Sequence, residues 1–217
     1  MIAVVLFTLL IGWINTRWLV ASVAYADGAR RQIAGRTAEA HGDFRRAGEL
    51  APWLPLPAEA FAYTSLQLAG IEMSPGRRMD LLHEGEAALA GARRHALGGG
   101  ASWTLTAQLA FAEARAGERS KLPLSLQAFE VAAKFRPLDP QLAAQWGWAL
   151  LESGDARRAR QMAERALALS AGRPEWLPWA VLARSARELG DTEEARRAAD
   201  NARRLAPAGV QRAEVGG

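Results

Sequence analysis

Between residues 139 and 207 the chain carries one pattern twice. Gly154-Asp155 follows a Trp-, Leu- and Ala-rich segment and precedes another, and Gly190-Asp191 does the same 36 positions later. Gly147, Ala159, Ala163 and Ala166 surround the first Gly-Asp, and Ala183, Ala195, Ala199 and Ala202 hold the matching places around the second. Pro140 opens the first copy and Pro207 closes the second. A fixed period of this length is produced by helix pairs that stack side by side, because each pair exposes apolar surface until a neighbour covers it. Small residues let antiparallel helices approach, Gly ends one helix in left-handed backbone, and Asp caps the next. The pattern predicts four helices, over residues 141–152, 156–169, 176–189 and 192–205.

Earlier in the chain the same punctuation is looser. Residues 29–41 and 44–50 read as two helices separated by Gly42-Asp43, and 53–57 as an extended Pro-rich linker, since each Pro disfavours helix in the residue before it. Helices follow over 59–68, 78–97, 102–116 and 122–135, with Ser102 as an N-cap and breaks at Ser74-Pro75-Gly76, the triplet Gly98-Gly99-Gly100 and Gly117-Glu118. Ala, Leu, Arg and Glu dominate, all good helix formers, and no run of strand formers occurs after residue 26. Breaks at Gly42, Pro75-Gly76, Gly117, Gly154 and Gly190 give about five helix pairs. The fold class is therefore all-α, a helical solenoid. Its parts are an N-terminal segment at 1–26, degenerate repeats at 27–135, two well-matched repeats at 136–207 and a flexible tail at 208–217.

The N-terminal segment is apolar from Ile2 to Ile14 apart from Thr8 and Gly12, then again from Trp18 to Ala26 after Asn15, Thr16 and Arg17. As one helix it would reach about 39 Å at 1.5 Å per residue, more than the roughly 30 Å hydrocarbon core of a bilayer. Arg17 would snorkel, and Trp13, Trp18 and Tyr25 would anchor the interfaces. The favoured expectation is a single transmembrane helix. A cleaved leader ending at Ala24-Tyr25-Ala26 and a buried core helix are the alternatives. Arg30, Arg31 and Arg36 behind the segment leave its orientation open.

Charge narrows the partners. Residues 139–207 contain eleven Arg and ten Asp or Glu, interleaved as Arg160/Glu164, Glu193/Arg197 and Asp200/Arg204 one helical turn apart. That is a solvated, ion-paired surface. A nucleic-acid face would cluster cations away from acids. The chain of 217 residues has no Cys, which removes disulfides, thiolate metal sites and Cys nucleophiles. His41, His83 and His95 are the only histidines, and the last two, twelve residues apart, cannot share one ion. The glycine triplet lacks the Lys-Ser/Thr of a phosphate loop. No catalytic, cofactor or metal set is expected.

The order of small residue, Gly-Asp turn, alanines and then Pro resembles the tetratricopeptide repeat (TPR). It is carried by Trp146-Gly147, Leu150, Gly154-Asp155, Ala159, Ala163 and Ala166, by Leu182-Ala183, Gly190-Asp191, Ala195, Ala199, Ala202 and Pro207, and more loosely by Leu109-Ala110, Gly117, Phe129, Ala132 and Pro137. The resemblance implies a protein-binding scaffold whose concave face is lined by the first helix of each pair. On this chain that face would present Gln141, Ala144, Trp148, Leu151 and Glu152, then Leu177, Ala180, Arg184 and Arg187. The Lys/Asn-rich groove that clamps acidic C-terminal peptides in some subfamilies is absent, leaving Arg184 and Arg187 to meet a carboxylate. Candidate contact residues are Gln141, Trp148, Glu152, Arg184 and Arg187. A second likeness, of layout, is to the C-terminal repeat region of O-antigen-ligase-like membrane proteins, where the repeats lie outside the cytoplasmic membrane. Together these imply a single-pass, membrane-anchored scaffold in a bacterial envelope complex, with extracytoplasmic repeats, a lipid contact through residues 1–26 and no cofactor. An accessory role in surface-polysaccharide assembly and an exported peptide-binding protein are the alternatives.

Overall fold

The computed structural model describes residues 2–95, 99–170, 172–173 and 175–207. The expected tail at 208–217 lies outside the described residues, as do Gly98 of the glycine triplet and the last residues of the helix expected to reach 97. Among the described residues there are ten α-helices, one 3-10 turn and no strand: α1 (Ile2–Ile33), α2 (Thr37–Leu50), α3 (Pro55–Ile71), α4 (Pro75–His95), α5 (Gly100–Ala116), α6 (Leu122–Phe135), α7 (Pro140–Glu152), α8 (Ala156–Leu169), α9 (Trp176–Glu188) and α10 (Thr192–Leu205). The chain divides into two units, Met1–Gly117 with α1 to α5 and Glu118–Gly217 with α6 to α10.

In the second unit α7 packs on α8, α8 on α9 and α9 on α10, and the two first helices, α7 and α9, also touch. The repeated Gly-Asp makes both turns. Gly154 has φ +85, which a side chain would resist. Its N–H donates to Leu151 O, and the next N–H, of Asp155, donates to Leu150 O at 2.9 Å. These two bonds close the helix with a Schellman motif. The Asp155 carboxylate then accepts from Arg158 N at 3.1 Å and starts α8. Gly190-Asp191 repeats this, with Asp191 accepting from Glu194 N. Gly147 is where α7 meets its neighbours: a Cβ there would lie 3.0 Å from Val181 Cγ1 and 3.3 Å from Ala159 O. Ala159, Ala163, Ala166, Ala199 and Ala202 are all buried.

The first unit has the same logic in a different phase from the one expected. Gly42-Asp43 does not break a helix; both lie inside α2, and the turn is at Gly35, φ +74. Gly28 to Gly35, Ala110 to Gly117, Gly147 to Gly154 and Ala183 to Gly190 are all seven apart. Gly28 is the crossing residue of this pair, since a Cβ on it would come within 2.7 Å of Phe44. Ala40, Phe44 and Ala47, the counterparts of Ala159, Ala163 and Ala166, are buried. The linker expected at 53–57 is also shorter: α3 begins at Pro55. Pro at the start of a helix forfeits no intrahelical bond, because the first N–H groups have no partner there. Ser102 is inside α5 rather than capping it, and its hydroxyl bonds Glu59.

The expectation of a membrane-spanning helix over 1–26, and with it a single-pass location in a cell membrane, is overturned. Among the described residues no helix is long and apolar enough to cross a membrane. The later half of the expected span is used for packing. Arg17 donates to Leu50 O and Glu49 O at the end of α2, at 2.9 and 2.8 Å. Ala21 and Ala24 are buried, and Tyr25 packs on Phe44 with ring centroids 5.5 Å apart. What precedes Arg17 is only about 22 Å of helix, short of the roughly 30 Å a bilayer core requires. That part is no buried core helix either: Leu6, Phe7, Leu9 and Leu10 are each more than half exposed.

Candidate partner-binding face

In the second unit the α7–α9 face carries the expected residues in unequal states. Gln141 is exposed in the first turn of α7, its N–H bonded to the Asp139 carboxylate at 2.9 Å. Trp148, one turn before Glu152, is only 6 % exposed and forms the floor of the face. Glu152 ends α7 and Arg184 lies mid-way along α9; their side chains meet, Arg184 Nη1 to Glu152 Oε1 at 3.0 Å. Arg184 Nε also reaches Glu188 at 3.3 Å. Arg187 is exposed in the last turn of α9. Thus Glu152 and Arg184 come together, Trp148 underlies them, and Gln141 stands at the far end of α7, about 16 Å along the axis.

One participant was not legible in the sequence. Arg119, in the 3-10 turn before α6, donates to the other Glu152 oxygen at 3.3 Å. Glu152 is therefore bidentate between two guanidinium groups. Any partner carboxylate that approaches Arg184 competes with Glu152 and Glu188 rather than meeting a bare cation. Arg119 lies two residues after Gly117, in the turn that makes this repeat longer than the two well-matched ones, so no spacing rule pointed to it.

In the first unit the first helices α1 and α3 carry an amide strip. Gln32 Nε2 donates to Gln67 Oε1 at 2.7 Å, and Gln67 Nε2 donates to the Tyr63 hydroxyl at 3.0 Å. Tyr63 is 46 % exposed. Such a strip presents donors and acceptors without net charge, which suits peptide backbone. A separate polar cluster is buried. His41 stacks on Phe61 at 4.2 Å, and Nδ1 lies 3.0 Å from the Thr64 hydroxyl. That hydroxyl donates to backbone carbonyls of its own helix, so it accepts from His41 Nδ1–H. Nε2 faces Glu84 Oε2 at 3.8 Å, and Glu84 is held by Arg45 at 2.8 Å and Arg77 at 3.5 Å. Burial, then the Arg45 charge, pushes the His41 imidazole below the usual histidine range, against the smaller pull of Glu84. Among the described residues no group of three or more His, Asp or Glu is arranged to hold a metal.

Comparison with solved structures decides the architecture. A thermophilic TPR protein of Thermus thermophilus, TTC0263, superposes with TM-score 0.65 over 90 % of this chain and 98 % of its own, at 20 % identity. The chain has the tetratricopeptide-repeat fold. MamA matches at TM-score 0.63 over 84 % of this chain and 90 % of its own, at 11 % identity. YrrB, described as a TPR protein with an unusual peptide-binding site, matches at TM-score 0.59 over 86 % of each chain, at 13 % identity. No protein-family profile and no curated protein matches by sequence. None of the three TPR structures bears on the likeness of layout to O-antigen-ligase-like proteins.

Proposed function

We propose that this TPR chain is a scaffold that holds a segment of a partner protein along its first-helix faces, without catalysing a reaction. The supporting observation is the α7–α9 face, where Gln141, Glu152, Arg184 and Arg187 rim a floor made by Trp148. Arg119 and Arg184 flank a half-buried Glu152 there, so a bound segment meets alternating charge of fixed geometry. Such a strip selects register and orientation more than it supplies affinity. In this reading Gln141 and Arg187 make polar rim contacts and Trp148 sets the depth of the face. The partner is proposed to be a component of a bacterial envelope complex; the support is the exposed apolar start of α1, which suits an assembly that offers apolar surface.

The test is capture of partners from native extract on the immobilised full chain, repeated with Arg184→Ala and with the charge-swapped pair Glu152→Arg/Arg184→Glu. A partner retained by the wild type and held at least about tenfold more weakly by Arg184→Ala, a loss of about 1.4 kcal/mol, supports the face. Circular dichroism must show both variants folded. Equal capture by all three proteins overturns this face, and a chain that always elutes alone overturns the scaffold.

A further inference from the structure

The part of α1 that precedes Arg17 is apolar over most of its circumference. Its exposed side chains turn from Leu9 through Leu6 and Phe7 to Ile11, an arc of about 200° at 3.6 residues per turn. A helix that docks on one protein surface presents an apolar stripe about half that wide, and a helix apolar all round belongs in a core or in lipid. The core of the first unit does not take this stretch, since Leu6, Phe7, Leu9 and Leu10 are each more than half exposed. No charged residue occurs from Leu6 to Thr16. Two hydroxyls on the exposed side of α1 are bonded within the helix: Thr16 donates to Gly12 O and Ser22 to Trp18 O, each at 2.9 Å. Neither needs water. The first charge, Arg17, is turned back on the protein, where its guanidinium donates to Leu50 O and Glu49 O and lies 4.5 Å from the centre of the Trp13 ring. Trp13 and Trp18, both about half exposed, stand on either side of it in the chain. Indole side chains collect where hydrocarbon meets water.

We propose that the start of α1 inserts into one leaflet of a lipid surface, with Trp13, Arg17 and Trp18 at the level of the headgroups. Lipid surrounds a helix on every side, which a single protein surface does not, and that is the cover an arc of about 200° requires. The helix enters the lipid without crossing it. About 22 Å of helix precedes Arg17, against roughly 30 Å for a full hydrocarbon core and half of that for one leaflet, so it rests at a tilt. The end of α2 forms the collar of the insertion, because Arg17 ties α1 to the Glu49 and Leu50 carbonyls there. Those bonds also spare the guanidinium from entering hydrocarbon. Since the inserted stretch from Leu6 to Thr16 carries no charge, the contact draws on apolar burial. It needs no anionic headgroup, and salt does not weaken it.

Flotation of the full chain with vesicles of pure phosphatidylcholine tests this. The wild type is expected to float with the vesicles to the same extent at about 0.1 M and about 1 M salt, and no better when phosphatidylglycerol is added. Leu10→Asp, at a position more than half exposed in the first unit, is expected to lower the partition coefficient at least about tenfold, or about 1.4 kcal/mol. A chain lacking residues 1–16 should stay with the soluble fraction while circular dichroism shows it folded. The chain has no native Cys, so one introduced thiol carries a polarity-sensitive dye. A dye on Phe7→Cys should shift to the blue and be quenched by lipids brominated in their acyl chains. A dye on Ile33→Cys, at the exposed far end of α1, should do neither. Overturning results are a wild type that does not float, flotation that survives removal of residues 1–16, flotation that requires anionic lipid and disappears in salt, a Phe7→Cys dye that the brominated lipids do not quench, or a chain that ignores vesicles and is held by another protein through residues 1–16.

Discussion

Glycines inside helices are not equivalent here, because some meet a neighbour where a side chain would go and others meet open space. A Cβ on Gly147 would press on Val181, Met162 and the backbone oxygen of Ala159. Gly147→Leu must therefore displace α8 or α9, and overpacking of this kind costs about 1–3 kcal/mol or more. Gly48 has open space around it and lies in the interior of α2. Gly48→Ala should stabilise by about 0.5–1 kcal/mol through the lower entropy of the unfolded chain. Urea denaturation of both variants checks the opposite signs; a neutral Gly147→Leu would mean that α7 does not cross its neighbours there. His41 gives a pH-dependent case. Its folded pKa is depressed by burial and by Arg45, so the folded state prefers neutral imidazole. The corresponding stability is fully present above the ordinary histidine range and is lost as pH falls through that range toward the lower folded value. Thermal melts between neutral and mildly acid pH should show this loss, and His41→Gln should flatten it. An equal slope in the variant would assign the acid sensitivity elsewhere.

At the scale of the element, legibility followed capping chemistry. Three of the four helices of residues 139–207 could be bounded from sequence because Asp139, Asp155 and Asp191 each bond a first-turn N–H, while α9 starts after Glu175 with no side-chain cap. Gly42-Asp43 imitates that signature inside α2, where flanking Ala40, Phe44 and Ala47 bury one continuous helical face. Packing overrides a two-residue turn signal when the apolar stripe runs straight through it. The seven-residue interval from Gly28 to Gly35 was present in the sequence and marks the true turn. Asp191 has a second role. Arg160 of α8 reaches it at 3.5 Å, bonds Glu164 at 3.0 Å and contacts Glu194, tying α8 to the start of α10. Losing an Asp cap costs about 0.5–2 kcal/mol. Asp191→Ala should exceed Asp155→Ala, whose only ion-pair contact among the described residues is Arg158 at 3.9 Å within its own helix. Guanidinium titrations of the two variants decide it; equal losses would show that Arg160 contributes nothing at Asp191, as exposed ion pairs often do.

At the scale of the molecule, the period gave away the repeat architecture because stacking forces the same small residues to recur. The polar network did not become visible that way. Arg119, Glu152 and Arg184 come from three elements, and nothing in linear spacing brings them together. Composition misled at the N-terminus, since a run of apolar residues reads the same whether it meets lipid or protein. The structure divides that run at Arg17. The described side chains from Leu6 to Thr16 are exposed, whereas Arg17, Ala21 and Ala24 fasten α1 to α2. Removing residues 1–16 should consequently leave the fold intact, with Tm within about 3 °C of the full chain, the shift expected for about 1 kcal/mol in a protein of this size. Removing residues 1–24 takes away Arg17 and two buried alanines and leaves the Leu50 and Glu49 carbonyls without the Arg17 guanidinium. That truncation should lower Tm by roughly 10 °C or more, as a loss of several kcal/mol would. The two truncations must therefore differ from each other far more than the first differs from the full chain. If instead the shorter cut destabilises as much as the longer, the exposed stretch of α1 is part of the folded unit and its packing partners lie beyond Arg17.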